Sequence, residues 1–332
     1  MAKKNQVTIA DIAKRVNLTN ITVSRALSKP EMVKPETLAR ILEVARELNY
    51  VPNAFARSLK RSESRIIGLV TASIDNPFYG DVIKAISWEA KKHDYSLMLF
   101  DTDGSAELET KAIETLLSYQ VAGIILSPIS DAPDYRPPYL GALEQSRIPV
   151  VQIDRALAET PFSKVVLDNY DSGYKAAQWL VSHEVRSILA LTGPEHSHIT
   201  RERFRGLEQA IKESGRAISV EVIPGDYTLN PAMEATRDFL QTHPVPDGIF
   251  GFNQLITLGA MRALRQAQLD SRHVQLVGID RLPFADIFGV KVPCVCHDTT
   301  KAGTSAITLL LDKIRDPALG TQEIVVAGEL IA

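Results

Sequence analysis

Apolar positions in the first fifty residues recur at helical spacing. Ile9, Ile12, Ala13 and Val16 fall at i, i+3, i+4 and i+7, one face of a helix. Thr8, followed three residues later by Asp11, is a capping start, and Asn17 tolerates the left-handed turn that ends the segment. Thr19 caps a second helix with Val23 and Leu27 on its buried face and Asn20, Ile21, Ser24 and Arg25 on the other. Pro35, after Lys34, opens a third helix that buries Leu38, Ile41, Leu42, Ala45 and Leu48. Two helices joined by a short turn, with a third closing the core, make an all-α helix-turn-helix head. Residues 54–60 form a short stretch, basic at its end, that includes Leu59. Isolated helices below about 12–15 residues are marginal in water, so this one would form only against DNA or a second copy. The alternative is a plain linker.

From Arg65 onward the period changes. Short β-branched runs at 66–70, 96–100, 122–126, 149–153, 187–191, 248–252 and 274–279 alternate with amphipathic segments. That alternation predicts an α/β body of parallel sheets with right-handed crossovers. Loops at the carboxyl ends of such strands, as at 73–79 and 191–194, are where open α/β sheets bind ligands. A cleft between two sheets could close on a small molecule. A polyhydroxy ligand needs fixed polar groups and an aromatic platform, and the strand exits offer Asn76, Phe78, Tyr79, Asp101, Asp154, Arg155, Arg203, Asn253 and Asp280.

Length changes this picture only by dividing it. At 332 residues the chain exceeds a single unit of about 150, and the pattern places the boundary after residue 60, giving segments 1–60 and 61–332. Hydrophobic residues at 45% and charged residues at 23% fit an ordinary globular protein. No apolar run approaches the roughly 20 residues that cross a bilayer, and the polar start leads straight into a helical pattern. A cytoplasmic protein without a membrane partner is therefore expected.

Charge separates the two segments more sharply than composition does. Residues 1–65 carry 13 Lys and Arg against 6 Asp and Glu, net +7, whereas the remainder carries 24 against 34, net −10. A basic head on an acidic body suggests a polyanion for the head alone. A helix-turn-helix would place its second helix in the major groove of double-stranded DNA. There Arg25 could fork onto guanine or a phosphate, Asn20 could pair with adenine, and Ile21 could pack on a thymine methyl. Thr8, Thr22 and the helix starts, Thr19 included, suit phosphates. Leu59 could wedge into the minor groove, flanked by Asn53, Arg57 and Lys60. A helical bundle that binds protein is the alternative.

Catalytic chemistry finds no performer. Cys294-Val-Cys296 has only His297 beside it, short of the four ligands of a zinc site, and reads as a pair of structural cysteines. Asp101-Thr-Asp-Gly104 lacks EF-hand spacing. Gly-x-Ser-x-Gly, P-loop and Gly-x-Gly-x-x-Gly patterns are missing, so neither enzyme activity nor a metal or cofactor is expected.

Three stretches carry a family likeness: Thr8-Ile-Ala-Asp-Ile-Ala13, Thr22-Val-Ser-Arg-Ala-Leu27 and Leu48-Asn-Tyr-Val-Pro-Asn-Ala-Phe-Ala-Arg-Ser-Leu59. In order and spacing they resemble the DNA-binding head and hinge of the LacI/GalR family of bacterial transcription regulators. The likeness runs through nearly the whole chain. It implies a periplasmic-binding-protein-like body of two subdomains, crossed three times by the chain, near 154–166, 280–294 and 322–328. It also implies a homodimer on a near-palindromic operator, repressing a carbohydrate-utilisation operon under control of a small effector. Positions 20 and 21 vary in the family and would set operator preference, whereas Lys34 replaces the usual small hydroxyl residue. By the same likeness Phe78 lies in a loop that touches the effector, and Asp154 follows the strand entering the first crossing. Arg203 resembles an effector-clamping arginine, and Asp280 an aspartate that pairs with sugar hydroxyls. Asn253 matches an asparagine commonly followed by aspartate, where this chain has Gln254. Ile153-Asp-Arg-Ala-Leu157 and His183-Glu-Val185 look like the fructose/sucrose-repressor branch, which often senses phosphorylated sugars. Arg155, Arg201, Arg203 and Arg205 could then hold a phosphate. The competing reading is a sugar-binding transport-type protein with no DNA role.

Overall fold

The computed structural model describes residues 7–50, 64–270, 272–285 and 287–332. They form two compact units, one ending at Ser64 and one beginning at Arg65. The expected hinge residues Asn53, Arg57, Leu59 and Lys60 lie outside the described residues.

The first unit is helical. α1 (Ile9–Val16) starts where the Thr8 backbone N–H and hydroxyl both donate to Asp11 Oδ2, at 2.8 and 2.7 Å, and ends on Asn17 at φ 53°. Those two bonds hold the Asp11 carboxyl below its ordinary range. α2 (Asn20–Ser28) starts where Thr22 N–H donates to Thr19 Oγ1 at 3.2 Å. α3 (Pro35–Glu47) follows Lys34, whose side chain caps nothing. Ile12, Ala13, Val16, Val23, Ala26, Ile41 and Ala45 close the core. Leu42, expected inside, is 36% exposed, because Ile41 and Ala45 already fill the narrow seam facing α1 and α2.

The second unit repeats one topology twice. The first half contains β1 (Ile66–Thr71), α4 (Pro77–Lys92), β2 (Ser96–Asp101), α5 (Ala106–Ser118), β3 (Gly123–Leu126), α6 (Leu140–Gln145), β4 (Val150–Ile153) and β5 (Ser163–Leu167). The second half contains α7 (Asn169–Ser182), β6 (Ser187–Leu191), α8 (His198–Ser214), β7 (Ser219–Ile223), α9 (Leu229–Thr242), β8 (Gly248–Gly251), α10 (Gln254–Gln266), β9 (Gln275–Ile279) and β10 (Cys294–His297). α11 (Thr299–Arg315) and β11 (Glu323–Val326) return to the first half, and β12 (Gly328–Ile331) to the second. The sheet orders are β11-β5-β4-β3-β1-β2 and β12-β10-β9-β8-β6-β7. Every pairing is parallel except β10 with β12.

The chain crosses between the halves at Asp168, at Asp298 and at Ala327. The third crossing falls where expected, but residues 154–166 stay in the first half and 280–294 in the second. In each half one more parallel strand, β5 or β10, is laid down before the crossing. It follows its neighbour through a helix-free loop, so helix–strand alternation does not announce it. Asp168 and Asp298 then cap the crossing helices, accepting from Asp171 N–H at 3.0 Å and Lys301 N–H at 2.8 Å.

A buried carboxylate sets the loop after β3. Glu109 on α5 accepts from Tyr135 and Tyr139 hydroxyls, both at 2.8 Å, and from Ile129 N–H at 2.6 Å. Burial pushes its carboxyl above the ordinary range against these three donors. A carboxyl raised in the folded state favours folding below its ordinary pKa, a contribution lost as pH rises through the raised value. Glu109→Gln should therefore remove the fall in stability that sets in as pH rises above the ordinary carboxylate range of about 4. Its amide N–H₂ would also face one of the donors, lowering Tm by roughly 2–8 °C in thermal denaturation.

Candidate functional site

In the first unit α2 presents the expected outer face. Asn20 and Arg25 are exposed, Thr22 and Ser24 are half-buried, and Ile21 is 71% exposed. A β-branched apolar side chain standing in water between polar neighbours contributes nothing to the core. Thr8 and Thr19 are exposed at the starts of α1 and α2.

In the second unit the strand exits converge. One cavity of about 40 Å³ is lined by Asn76, Phe78, Tyr79, Asp154, Arg155, Arg203, Asn253 and Asp280, together with Leu167, Ile199 and Tyr227. Both halves contribute. Asp101 lies apart, exposed at the end of β2, where it accepts from Ile74 N–H at 3.2 Å.

The two aspartates are built alike. Asp154 follows β4 at φ 65° and Asp280 follows β9 at φ 67°, left-handed positions that aspartate occupies more readily than most residues. Each donates its backbone N–H at 2.9 Å to the strand that comes next, to Val165 O and Val295 O respectively. Both are followed by arginine, in the repeated triplets Ile153-Asp-Arg155 and Ile279-Asp-Arg281. Tyr79 donates to Asp154 Oδ2 at 2.7 Å and accepts from Ser127 at 2.8 Å. Desolvation raises the Asp154 carboxyl, opposed by Arg155, the Tyr79 hydroxyl and Arg203. Burial pushes the Tyr79 phenol far up, so it stays a donor. Burial also works against the charge on Arg155, but Tyr79 and Asp154 hold that guanidinium above its usual value.

Arg155 donates to Ile129 O at 2.8 Å and lies 5.5 Å from the centre of the Tyr227 ring. Arg203, on α8 and 4% exposed, donates through Nε to Asn169 Oδ1 at 2.9 Å and through Nη1 to Phe252 O. Asn253 caps α10, accepting from Ile256 N–H at 2.8 Å and donating to Tyr227 O at 3.0 Å. Arg201 and Arg205 are exposed and do not line the cavity; Arg205 pairs with Glu202. The cavity holds two guanidinium groups and two carboxyl groups, a balanced set.

The cleft is shut. Asp131 Oδ2 in the first half accepts from Ile199 N–H in the first turn of α8 at 3.0 Å, a carboxylate at a positive helix end. On another side the Gln254 amide meets Asn76 at 2.8 Å. Ligand sites usually exceed about 300 Å³, so a small molecule enters only when the halves part. Hollows of 800 and 630 Å³ adjoin the cavity, sharing Asp154 and Ile199 with the first and Phe78 and Asp280 with the second. Tyr227, Asp131, Leu167 and Ile199 were not among the candidates the sequence offered. Tyr227 follows an unrecognised edge strand, and Leu167 ends an unrecognised inner strand that no helix precedes.

Among the described residues no group of three or more His, Cys, Asp or Glu is placed to hold a metal ion. The Cys294 and Cys296 sulfurs stand 3.1 Å apart, with Cys294 buried and Cys296 half-buried. Among the described residues no helix is long and apolar enough to cross a membrane.

Residues 8–53 match the family of bacterial regulatory proteins, lacI family, and residues 67–285 match a periplasmic binding protein domain. The chain is 30% identical over 325 residues to a ribose operon repressor of Halalkalibacterium halodurans, covering 98% of this chain and 95% of that one. It is 26% identical to the transcriptional repressor CytR of Escherichia coli over 336 residues, covering 99% and 97%. The lac repressor dimer, solved with operator and an anti-inducer, superposes with a TM-score of 0.82 at 24% identity, covering 99% and 98% of the two chains. With a helix-turn-helix head and a two-lobed body matched along almost its whole length, the chain belongs to the lacI family of bacterial regulatory proteins and is a DNA-binding regulator of transcription.

Proposed function

We propose that the protein represses a carbohydrate-utilisation operon and that its effector is a neutral monosaccharide held in the cleft. The convergence of eight polar and aromatic strand-exit residues around one cavity carries this reading. Two carboxyl groups and two guanidinium groups suit vicinal hydroxyls, which both donate and accept, with Phe78 and Tyr227 as apolar platforms. A phosphate would call for surplus positive charge, and Arg201 and Arg205 lie outside the cavity. The ribose operon repressor among the relatives supports the same class.

Asn76, Phe78, Tyr79, Asp154, Arg155, Arg203, Asn253 and Asp280 bind the effector. Thr8, Thr19, Asn20, Ile21, Thr22, Ser24 and Arg25 contact DNA, joined by Asn53, Arg57, Leu59 and Lys60 of the linking segment. A homodimer, as the lac repressor dimer suggests, reads a near-palindromic operator in the cytoplasm and has no catalytic role. Effector and operator each favour one arrangement of the halves, so each alters the other's affinity, typically by about 1–3 kcal/mol.

An operator selected from random duplexes tests this directly. D-ribose, D-fructose, D-glucose and D-galactose, each with its phosphate ester, are titrated against the full-length protein by calorimetry and against the complex by fluorescence anisotropy. One free sugar should bind and shift operator affinity; preference for an ester overturns the neutral class. Arg25→Ala should weaken operator binding by roughly 10- to 100-fold without changing sugar affinity.

A further inference from the structure

We infer that His297, backed by Ser172, is the positioning residue for the cleft carboxyl of Asp280, tying effector binding to the hinge. The inference rests on the reading of the cleft as a sugar site. His297 ends β10 immediately before the second crossing, and its side chain is fully buried. Its Nδ1 faces Asp280 Oδ1 at 3.2 Å and its Nε2 faces Ser172 Oγ at 2.9 Å. Ser172 lies in the first turns of α7, just past the first crossing, and its hydroxyl reaches Asp168 O at 2.5 Å. Residues beside two of the three crossings and one cleft carboxyl are thus gathered around the His297 ring.

Proton bookkeeping fixes the direction of those hydrogen bonds. The Ser172 hydroxyl has one hydrogen, which goes either to Asp168 O or to His297 Nε2. With a neutral ring and the hydrogen on Nε2, the bare Nδ1 lone pair would face the Asp280 carboxylate. With the hydrogen on Nδ1, it donates to Asp280 while Nε2 accepts from Ser172. Protonation of both nitrogens keeps the Nδ1–H···Asp280 bond as well. The imidazole therefore holds the carboxyl in one rotamer.

The repeated fold supplies an independent comparison. Asp154, the counterpart of Asp280, receives the Tyr79 hydroxyl at 2.7 Å, and Tyr79 is itself backed by Ser127 at 2.8 Å. Each cleft aspartate thus has one aromatic donor steadied by a serine. They differ in where the donor sits. Tyr79 belongs to a helix packed within the first half, whereas His297 is the last residue of a second-half strand and directly precedes the crossing at Asp298, so a change of backbone at that crossing reaches Asp280 through it. The residue equivalent to His297 at the first crossing is Leu167, which makes leucine a natural replacement.

The test uses full-length protein and whichever of the four free sugars binds tightest. His297→Leu should weaken that sugar by about 10- to 100-fold, the range for losing a bond to a charged group. His297→Gln, which keeps an N–H donor, should recover most of the loss. In an Asp280→Asn background, His297→Leu should add less than about twofold, since the two act as a unit. Unchanged sugar affinity in His297→Leu, or losses that simply multiply, would overturn the inference. Should no sugar bind wild-type protein, the sugar reading fails on its own. The positioning contact is then judged by ¹⁵N NMR of the histidine ring, whose Nδ1 signal must shift in Asp280→Asn; an unmoved signal refutes it.

Discussion

Arg203→Leu is expected to abolish sugar binding, lowering affinity by at least about 100-fold, while the repressor still holds its operator. Arg203 is buried with only part of its guanidinium facing the cavity, and the rest is spent on Asn169 and Phe252 O. Leucine fills much of the volume but strips both acceptors of their donor. It also leaves two cleft carboxyl groups against one remaining cation. Since Arg203 is among the groups that favour the charged Asp154, its loss raises that carboxyl further. Removing one member of a buried charge set typically costs about 3–5 kcal/mol, so thermal denaturation should show a lower Tm as well. Arg203→Lys separates charge from geometry: it restores the balance without the fork, and should recover stability more than affinity. Calorimetry and operator anisotropy on the same preparations decide the matter. Affinity within threefold of wild type would remove Arg203 from the site.

Gly173→Ala should be comparably severe although it touches no ligand. α7 and α8 cross so closely that a Cβ on Gly173 would lie 2.0 Å from the Arg203 carbonyl oxygen and 2.7 Å from its Cα. The obstacle is helix backbone, which cannot swing aside as a side chain can. Adding a methyl there pushes α8 outward and carries Arg203 with it. Overpacking costs typically about 1–3 kcal/mol and more where the backbone itself must move. The expected fall in Tm is roughly 6–12 °C, with sugar affinity lost in parallel. Gly303, the equivalent glycine of α11, supplies the control. Its added carbon would approach Val82 O at 2.7 Å, a looser contact remote from the cleft arginine. Gly303→Ala should destabilise less and leave sugar affinity nearer wild type, as denaturation and calorimetry on the pair would show.

What could be read from the sequence was what local chemistry dictates. Thr8 with Asp11, Asn17 and Thr19 mark helix ends by bonds within four residues, so the head was legible almost residue by residue. The central strands β1, β3, β4, β6, β8 and β9 are predominantly apolar runs bounded by turns. β7 and β11 lie at sheet edges and were missed, β7 because it alternates polar and apolar residues and β11 because it is only four residues long and opens on Glu323. β5 was missed for a different reason, having no helix before it. The eight cleft candidates converge because the ends of parallel strands share one side of each sheet. Asp101 stands outside because β2 is an edge strand, far from the line where the sheets meet. His297 could not be found locally: Asp280 is brought to it by the pairing of β9 with β10, and Ser172 by the packing of α7 on β10.

The last two strands have a consequence for biosynthesis. β11 completes one sheet by pairing with β5, and β12 completes the other by pairing with β10, with only Ala327 between them. Neither half is a contiguous stretch that could finish while the rest is still being translated. A nascent chain stopped near residue 320 would expose β5 and β10 as bare edges, templates for pairing with another chain. Both sheets are therefore sealed together, and only after everything before residue 323 has been made.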